Sequence, residues 1–126
     1  MLIFGIDPGS RITGYGVITA QGNRYQCVDY GAIRAKTCNT DFPQRLCSIY
    51  SRLSSLIEDH QPEPVAIEEV FHAVNTKTAL ILGQVRGVAL LAAAQHGIPI
   101  FEYSPLKVKK SVVGYGRAEK HQIQMM

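Results

Sequence analysis

Leu2-Ile3-Phe4-Gly5-Ile6-Asp7-Pro8-Gly9-Ser10 is an apolar run that ends in a carboxylate and a turn. The run from Leu2 to Ile6 is typical of a strand buried at the centre of an α/β sheet. An acid at the carboxyl end of such a strand, followed by Pro8-Gly9, points into the crevice where open α/β sheets bind ligands. Asp7 is therefore the first candidate for chemistry. The alternative is an Asp that only shapes the turn through its own backbone.

The composition predicts one soluble domain of ordinary globular character. The chain has 126 residues, of which 46% are hydrophobic and 18% are charged, and this suffices for one core. The apolar run from Val88 to Ala94 ends at Gln95, well short of the roughly 20 apolar residues that cross a bilayer. The N-terminus has no basic region ahead of its apolar segment, as a secretory signal would have. We therefore expect a cytoplasmic protein with no membrane association.

Positive charge is concentrated towards the C-terminal end of the chain. The net charge is +3, and residues 107–121 alone contribute +4, which leaves −1 for the rest. The charged residues of this segment are Lys107, Lys109, Lys110, Arg117 and Lys120, with Glu119 as the one acid. A basic patch on a near-neutral body is typical of a protein that binds a polyanion such as nucleic acid. The alternative is a solvated helix face that carries lysines.

Hydrophobic patterning predicts five strands in a mixed sheet. Three strands follow one another directly and favour an antiparallel meander, with a turn at Gln21-Gly22-Asn23. The two later strands each follow a helix, so they should lie parallel to a neighbour. The predicted strands span residues 2–6, 14–19, 25–33, 65–71 and 98–103. The order βββαβαβ followed by further helices indicates an α/β fold.

Capping residues mark where the helices begin. Asp41 is a candidate N-cap for the first helix, with Gln44 three residues later, and Asn75 or Thr76 could cap the second. The predicted helices span about 41–61, 77–96 and 105–113, with a last one from about 118.

Two glycines, Gly83 and Gly87, lie four residues apart on one face of the second long helix. Each costs about 1 kcal/mol relative to Ala in a helix, so this stripe predicts something packed very close to it. The spacing alone leaves two interpretations open, the seam of a homodimer and a contact with the sheet of the same chain.

A second acid, Glu68, repeats the arrangement of Asp7. It follows the apolar run Val65-Ala66-Ile67, whereas strand alternation turns Glu69 to the opposite face. If the first and fourth strands are parallel neighbours, the two carboxylates lie at matching ends of strands about 4.8 Å apart. They would repel each other unless a divalent cation lies between them, and Mg²⁺ prefers such oxygen ligands.

A pair of acids that shares Mg²⁺ beside a basic surface is typical of phosphodiester hydrolysis. A two-ion site takes additional carboxylate or imidazole ligands. Neither Glu102 nor Glu119 has an obviously suitable setting, so two acids alone are too few for a complete site of this kind.

Four blocks of sequence, in order, span nearly the whole chain: Gly5 to Arg11 running into Thr13 to Ile18, Ala66 to Phe71 with Asn75, Leu82 to Val88, and Val108 to Lys120. Together they resemble the RuvC family of Holliday junction resolvases, in the ribonuclease H-like superfamily. The resemblance implies a ribonuclease H-like mixed five-stranded sheet, with three antiparallel and two parallel strands flanked by helices. It also implies a crossover junction endodeoxyribonuclease that acts as a homodimer on four-way DNA junctions in recombination and repair, with a branch-migration helicase complex as partner. The implied cofactor is Mg²⁺, with Mn²⁺ as a substitute.

The same resemblance assigns roles to single residues. Asp7 and Glu68 match the first two catalytic metal ligands of the family. Phe71 matches an aromatic residue that stacks against junction bases, for which the alternative is an ordinary core Phe at the end of a strand. The remaining assigned DNA contacts are Lys109 and Lys120, which approach the DNA backbone near the active site, together with Arg11, Arg117 and Asn75.

Proteins of this family continue into a helix that bears the remaining acidic or His ligands, and this chain stops before it. The resemblance therefore implies a single nuclease domain over residues 1–126 that is incomplete at its C-terminus. We expect such a chain to bind junction DNA weakly and to cleave it poorly or not at all, because half of the metal ligands would be missing.

Two other functions compete with this interpretation. A phosphotransferase of the actin-like ATPase and sugar kinase group also carries an Asp, Gly and Ser or Thr in its first hairpin, but such enzymes hold nucleotide between two related domains. A non-catalytic nucleic-acid-binding module on the same fold is the second alternative.

Overall fold

A five-stranded mixed sheet and two helices make up the fold, in a computed structural model that describes residues 1–34, 41–68 and 75–103. The elements are β1 (Leu2–Asp7), β2 (Ile12–Gln21), β3 (Arg24–Arg34), α1 (Phe42–His60), β4 (Val65–Glu68), α2 (Thr76–Gln95) and β5 (Ile100–Tyr103). The strand order is β3-β2-β1-β4-β5, with β1, β2 and β3 antiparallel and with β4 parallel to both β1 and β5. The predicted fold class is confirmed. The helices predicted over 105–113 and from 118 lie outside the described residues.

Helix α1 begins and ends where its capping residues require. The Asp41 carboxylate accepts a hydrogen bond from the Gln44 backbone N–H at 2.9 Å, which satisfies one of the free donors of the first turn. At the other end Gln61 adopts the left-handed conformation with a φ of 48°, and its N–H donates to the Ile57 carbonyl at 2.8 Å. The predicted N-cap is confirmed.

The core lies between one face of the sheet and the two helices. Phe4 and Tyr15 stack within it at 5.8 Å between ring centroids, and both point to the helix side of the sheet. The strands contribute Phe4, Ile6, Tyr15, Val17, Ile33, Val65 and Ile67, α1 contributes Ile49, Leu53, Leu56 and Ile57, and α2 contributes Val85, Ala89, Ala92 and Ala93. Small residues on α2 therefore allow the two helices to pack closely over the sheet.

Two side-chain contacts join the helices to the outer strands. His60, in the last turn of α1, places Nε2 3.2 Å from the Asp29 carboxylate on β3, while its Nδ1 lies 2.9 Å from the Leu56 carbonyl. Arg86 on α2 pairs with Glu102 on the edge strand β5. Each contact links an element at the margin of the sheet to the helical layer.

Helix α2 is apolar on more than its buried face. It is long and apolar enough, by length and composition alone, to cross a membrane, with a mean hydropathy of 1.3 over an 18-residue window. A count of uninterrupted apolar residues does not detect this, whereas an average over the helix absorbs a few polar residues. The core helix of a soluble protein meets the same criterion, and α2 buries Val85, Ala89, Ala92 and Ala93 against α1 and the sheet.

The glycine stripe of α2 points away from that core. Among the described residues, a Cβ built on Gly83 or on Gly87 meets nothing within 4 Å, and both residues are exposed. Leu80 and Leu91, one turn to either side, are 65% and 51% exposed. Within the described part of the chain, an internal sheet contact at this stripe is therefore the wrong interpretation. These four residues, Leu80, Gly83, Gly87 and Leu91, form what we call the α2 outer face.

Gly31 on β3 is required by the ring that lies across it. A Cβ at this position would come within 2.8 Å of the Tyr15 hydroxyl oxygen and 3.0 Å of two ring carbons.

Because the ring is stacked on Phe4 in the core, we predict that Gly31→Ala lowers the free energy of unfolding by about 1–3 kcal/mol, as overpacking does. Urea unfolding measures the loss. Tyr15→Phe removes the nearest atom, so in the Gly31→Ala background it should recover part of the lost stability, and full additivity of the two changes would contradict the clash.

Candidate active site

The ends of β1 and β4 bring the two predicted acids together. Phe4, Gly5 and Ile6 pair in parallel register with Val65, Ala66 and Ile67, so the next step along both strands reaches Asp7 and Glu68. The two carboxyl groups lie within hydrogen-bonding reach of each other. The matching strand ends predicted from the sequence are therefore confirmed.

The two carboxyl groups influence each other's charge. Partial burial raises the pKa of Asp7, although its side chain remains open to solvent on one side, and the hydrogen bond with Glu68 offsets part of that rise. The pKa of Glu68 is raised by burial, by the negative charge of Asp7 and by the same hydrogen bond. Without a cation, the pair therefore binds a proton more readily than isolated carboxyl groups do.

This arrangement fits a divalent cation. Two carboxylates at adjacent strand ends supply hard oxygen ligands, and a cation between them would remove their repulsion. In residues 1–34, 41–68 and 75–103, no group of three or more His, Cys, Asp or Glu side chains gathers in one place. The described residues thus provide two ligands, as the sequence analysis also concluded for Asp7 and Glu68.

The turn after Asp7 is tightly built. Thr13, at the start of β2, is fully buried, and its hydroxyl donates to the Gly9 carbonyl at 2.9 Å and accepts from the Gly9 N–H at 3.3 Å. Arg11 is exposed in the same turn, next to the acids in sequence. The sequence analysis gave Thr13 no role beyond its place in a motif. Strand alternation could have drawn attention to it, since it shares the core-facing side of β2 with Tyr15 and Val17.

The other predicted site residues divide into two groups. Asn75 caps α2, where its side-chain oxygen accepts from the Thr78 N–H at 2.8 Å. This resolves the choice between Asn75 and Thr76 as N-cap, and it gives Asn75, which the resemblance assigned to DNA, a structural role as well. The predicted contacts Phe71, Lys109, Arg117 and Lys120 lie outside the described residues.

The pKa shifts predict a pH-dependent stability of the metal-free protein. Both acids have raised pKa values in the folded state, so their protonated forms stabilise the fold. This contribution to the free energy of unfolding is fully present when the pH is below their ordinary pKa values near 4. It is lost as the pH rises through the raised pKa values. Glu68→Gln removes the repulsion. In urea unfolding with EDTA, we predict that the free energy of unfolding of this variant at pH 7–8 exceeds that of the parent by a few tenths to about 1 kcal/mol. This difference should disappear towards pH 4.

Glu63→Gln is the matched control, because Glu63 is an exposed acid just ahead of the opposite end of β4. Its stability difference from the parent should not follow this pH profile. A gain for Glu68→Gln that is the same at every pH would contradict the coupled pair.

Comparison with known proteins places this geometry in a family. The sequence model described as "Crossover junction endodeoxyribonuclease RuvC" matches residues 3–126. RuvC proteins of Alkaliphilus metalliredigens (strain QYMF) and Ruminiclostridium cellulolyticum (strain ATCC 35319) are each 54% identical over 126 residues, which is 100% of this chain and 76% and 75% of those proteins.

Among solved structures, T. thermophilus RuvC in complex with Holliday junction substrate superposes with a TM-score of 0.83 at 27% identity. The superposition covers 90% of this chain and 72% of that one. Family match, sequence identity and strand topology agree along the described parts of the molecule. The chain belongs to the RuvC family of crossover junction endodeoxyribonucleases.

Proposed function

We propose that this chain is a structure-selective endonuclease that resolves four-way DNA junctions in recombination and repair by paired, metal-dependent nicking. The observation that carries the proposal is the convergence of Asp7 and Glu68 at adjacent strand ends in a member of this family. The T. thermophilus relative was solved with a Holliday junction substrate, which supports the same class of substrate here. Membership of this family argues against the phosphotransferase alternative.

Asp7 and Glu68 are the residues that would hold the cation, which we propose to be Mg²⁺, with Mn²⁺ as a substitute. When bound, such an ion supplies positive charge that activates water and stabilises the leaving oxygen of the phosphodiester. The chain itself supplies position, because backbone pairing of β1 with β4 fixes the separation of the carboxyl groups before any ligand arrives. Partial burial strengthens their interaction with a cation.

One proposed DNA contact lies in the turn beside the acidic pair. Arg11 is exposed in the turn after Asp7, where a guanidinium can hold a backbone phosphate without reading sequence. The assignments of Phe71 to base stacking and of Lys109, Arg117 and Lys120 to the backbone stay predictions. For Asn75 we propose a contact through its amide N–H₂, because the capping bond leaves that group available.

The homodimer is proposed on the α2 outer face. Leu80 and Leu91 are exposed large apolar residues, and in the described part of the chain nothing lies over Gly83 and Gly87 between them, so a second helix could approach closely. The spacing of three, four and four residues keeps all four on one side of the helix. Pairing of this face with its copy would bury the apolar surface that the monomer leaves in water.

We also propose a cytoplasmic protein, with α2 packed between its own core and a dimer partner. The association with a branch-migration helicase complex stays a prediction from the family. The expectation that the 126-residue chain cleaves junctions poorly or not at all also stays a prediction. A non-catalytic module that only binds nucleic acid remains the alternative that the first experiment below tests.

Removing either carboxylate should abolish nicking but not binding. We predict that Asp7→Asn and Glu68→Gln each lower the single-turnover nicking rate on a four-way junction with Mg²⁺ or Mn²⁺ by about 100-fold or more, as expected when a group that stabilises transition-state charge is lost. Junction affinity should change little, because phosphate contacts carry it. Glu63→Gln, an exposed acid outside the pair, should nick like the parent. Nicking that persists in both carboxylate variants at the rate of the parent would reject the catalytic proposal.

A charge on the α2 outer face should separate the dimer. We predict that Leu80→Glu raises the dimer dissociation constant about tenfold or more, since a buried Leu side chain contributes about 1.5–3 kcal/mol. Sedimentation velocity over a concentration series measures this. Val28→Glu is the control, because Val28 is similarly exposed, at 53%, but lies on β3. Equal effects of the two substitutions would place the seam elsewhere.

A further inference from the structure

Thr13 is a buried polar residue in a position that usually holds an apolar one. It is 0% exposed and is the one buried polar side chain in the described segments. Along β2 it shares the core-facing side with Tyr15 and Val17. A Val of almost the same shape would fill this place without a hydroxyl to satisfy, so the hydroxyl indicates a specific task.

The task is visible in the hydrogen bonds of that hydroxyl. Oγ1 of Thr13 donates to the Gly9 carbonyl at 2.9 Å and accepts from the Gly9 N–H at 3.3 Å. Both backbone groups of one turn residue are therefore bound to a single side chain. Because this side chain is buried, the bonds are protected from competition with water.

Gly9 is held equally tightly by its surroundings. A Cβ at this position would lie 2.1 Å from the Ile12 carbonyl oxygen and 3.2 Å from its carbon, so no other residue fits this turn. The turn from Pro8 to Arg11 is thus fixed on one side by backbone contact with Ile12 and on the other by the Thr13 hydroxyl.

This fixed turn adjoins the acidic pair directly. Gly9 is two residues after Asp7, and Gly14, the neighbour of Thr13, is the antiparallel partner of Asp7. A turn that shifted would change the direction of the Asp7 side chain relative to Glu68 and the place of Arg11 at the rim. The carboxylates of a metal site depend on such supporting contacts for their orientation.

We propose that Thr13 is a positioning residue for the acidic site: its buried hydroxyl fixes the Gly9 turn and thereby directs the Asp7 carboxylate towards Glu68. This inference rests on the proposed function, since it assigns Thr13 to the support of the same site. It extends that function by one residue which touches neither metal nor DNA.

Two variants at Thr13 separate positioning from packing. Thr13→Val keeps the shape and removes the hydroxyl, whereas Thr13→Ser keeps the hydroxyl and removes a methyl group. We expect Thr13→Val to weaken Mn²⁺ binding to the 126-residue protein about 10-fold to 100-fold, as loss of a supporting contact typically does. Thr13→Ser should bind Mn²⁺ within about threefold of the parent even though its melting temperature falls. Amide hydrogen exchange at Gly9 should accelerate in Thr13→Val only.

The outcomes distinguish this inference from the proposed function. If Asp7→Asn abolishes Mn²⁺ binding but Thr13→Val leaves both binding and Gly9 exchange unchanged, the positioning role is wrong while the metal site stands. If Thr13→Ser loses as much affinity as Thr13→Val, the residue acts through packing and the inference is also rejected. If Asp7→Asn leaves Mn²⁺ binding unchanged, the proposed function itself fails and the positioning role fails with it.

Discussion

The parallel pairing of β1 with β4 is the constraint on which the candidate site depends. Asp7 and Glu68 are 61 residues apart in sequence, and only the register that joins Ile6 to Ile67 brings their carboxyl groups together. Helix α1 makes this possible, because a parallel neighbour requires a crossover and α1 carries the chain back across the sheet. Packing of α1 and α2 on the helix side of the sheet then holds both strands in place.

Holding two acids so close opposes the stability of the metal-free protein. Burial raises the pKa values of both groups, and the negative charge of Asp7 raises that of Glu68 further, so ionisation at neutral pH works against the fold. The surrounding contacts offset this, above all the stacked pair Phe4 and Tyr15 on the two strands that flank the Asp7 turn. Such a conflict between local stability and charge is common where a site is prepared for a ligand.

Much of this could be predicted from the sequence because the relevant rules are local. Alternation and apolar runs indicated all five strands, and Asp41 marked the start of α1 correctly. The acidic pair was also predictable, since each carboxylate ends an apolar strand.

Features that depend on three-dimensional surroundings were not predictable. Gly83 and Gly87 fitted either a dimer seam or a sheet contact, because periodicity identifies a face without saying what covers it. The register shift between Val17 and Ile18 leaves no mark in composition. The role of the Thr13 hydroxyl was not predicted, because its hydrogen-bond partners are the backbone N–H and carbonyl of Gly9. Backbone groups of this kind occur throughout a chain, so the sequence does not single out a partner.

The β2–β3 hairpin offers a practical handle on this molecule. Leu2 pairs with Thr19, so the exposed turn around Gly22, with its φ of 58°, projects beyond the start of β1. At about 3.3 Å per residue, it lies roughly 25 Å along the strand from Gly14, the partner of Asp7. Exposed turn tips tolerate inserted residues best. A dye or surface tether attached there would leave the acidic edge unobstructed, so single molecules could be followed on branched DNA.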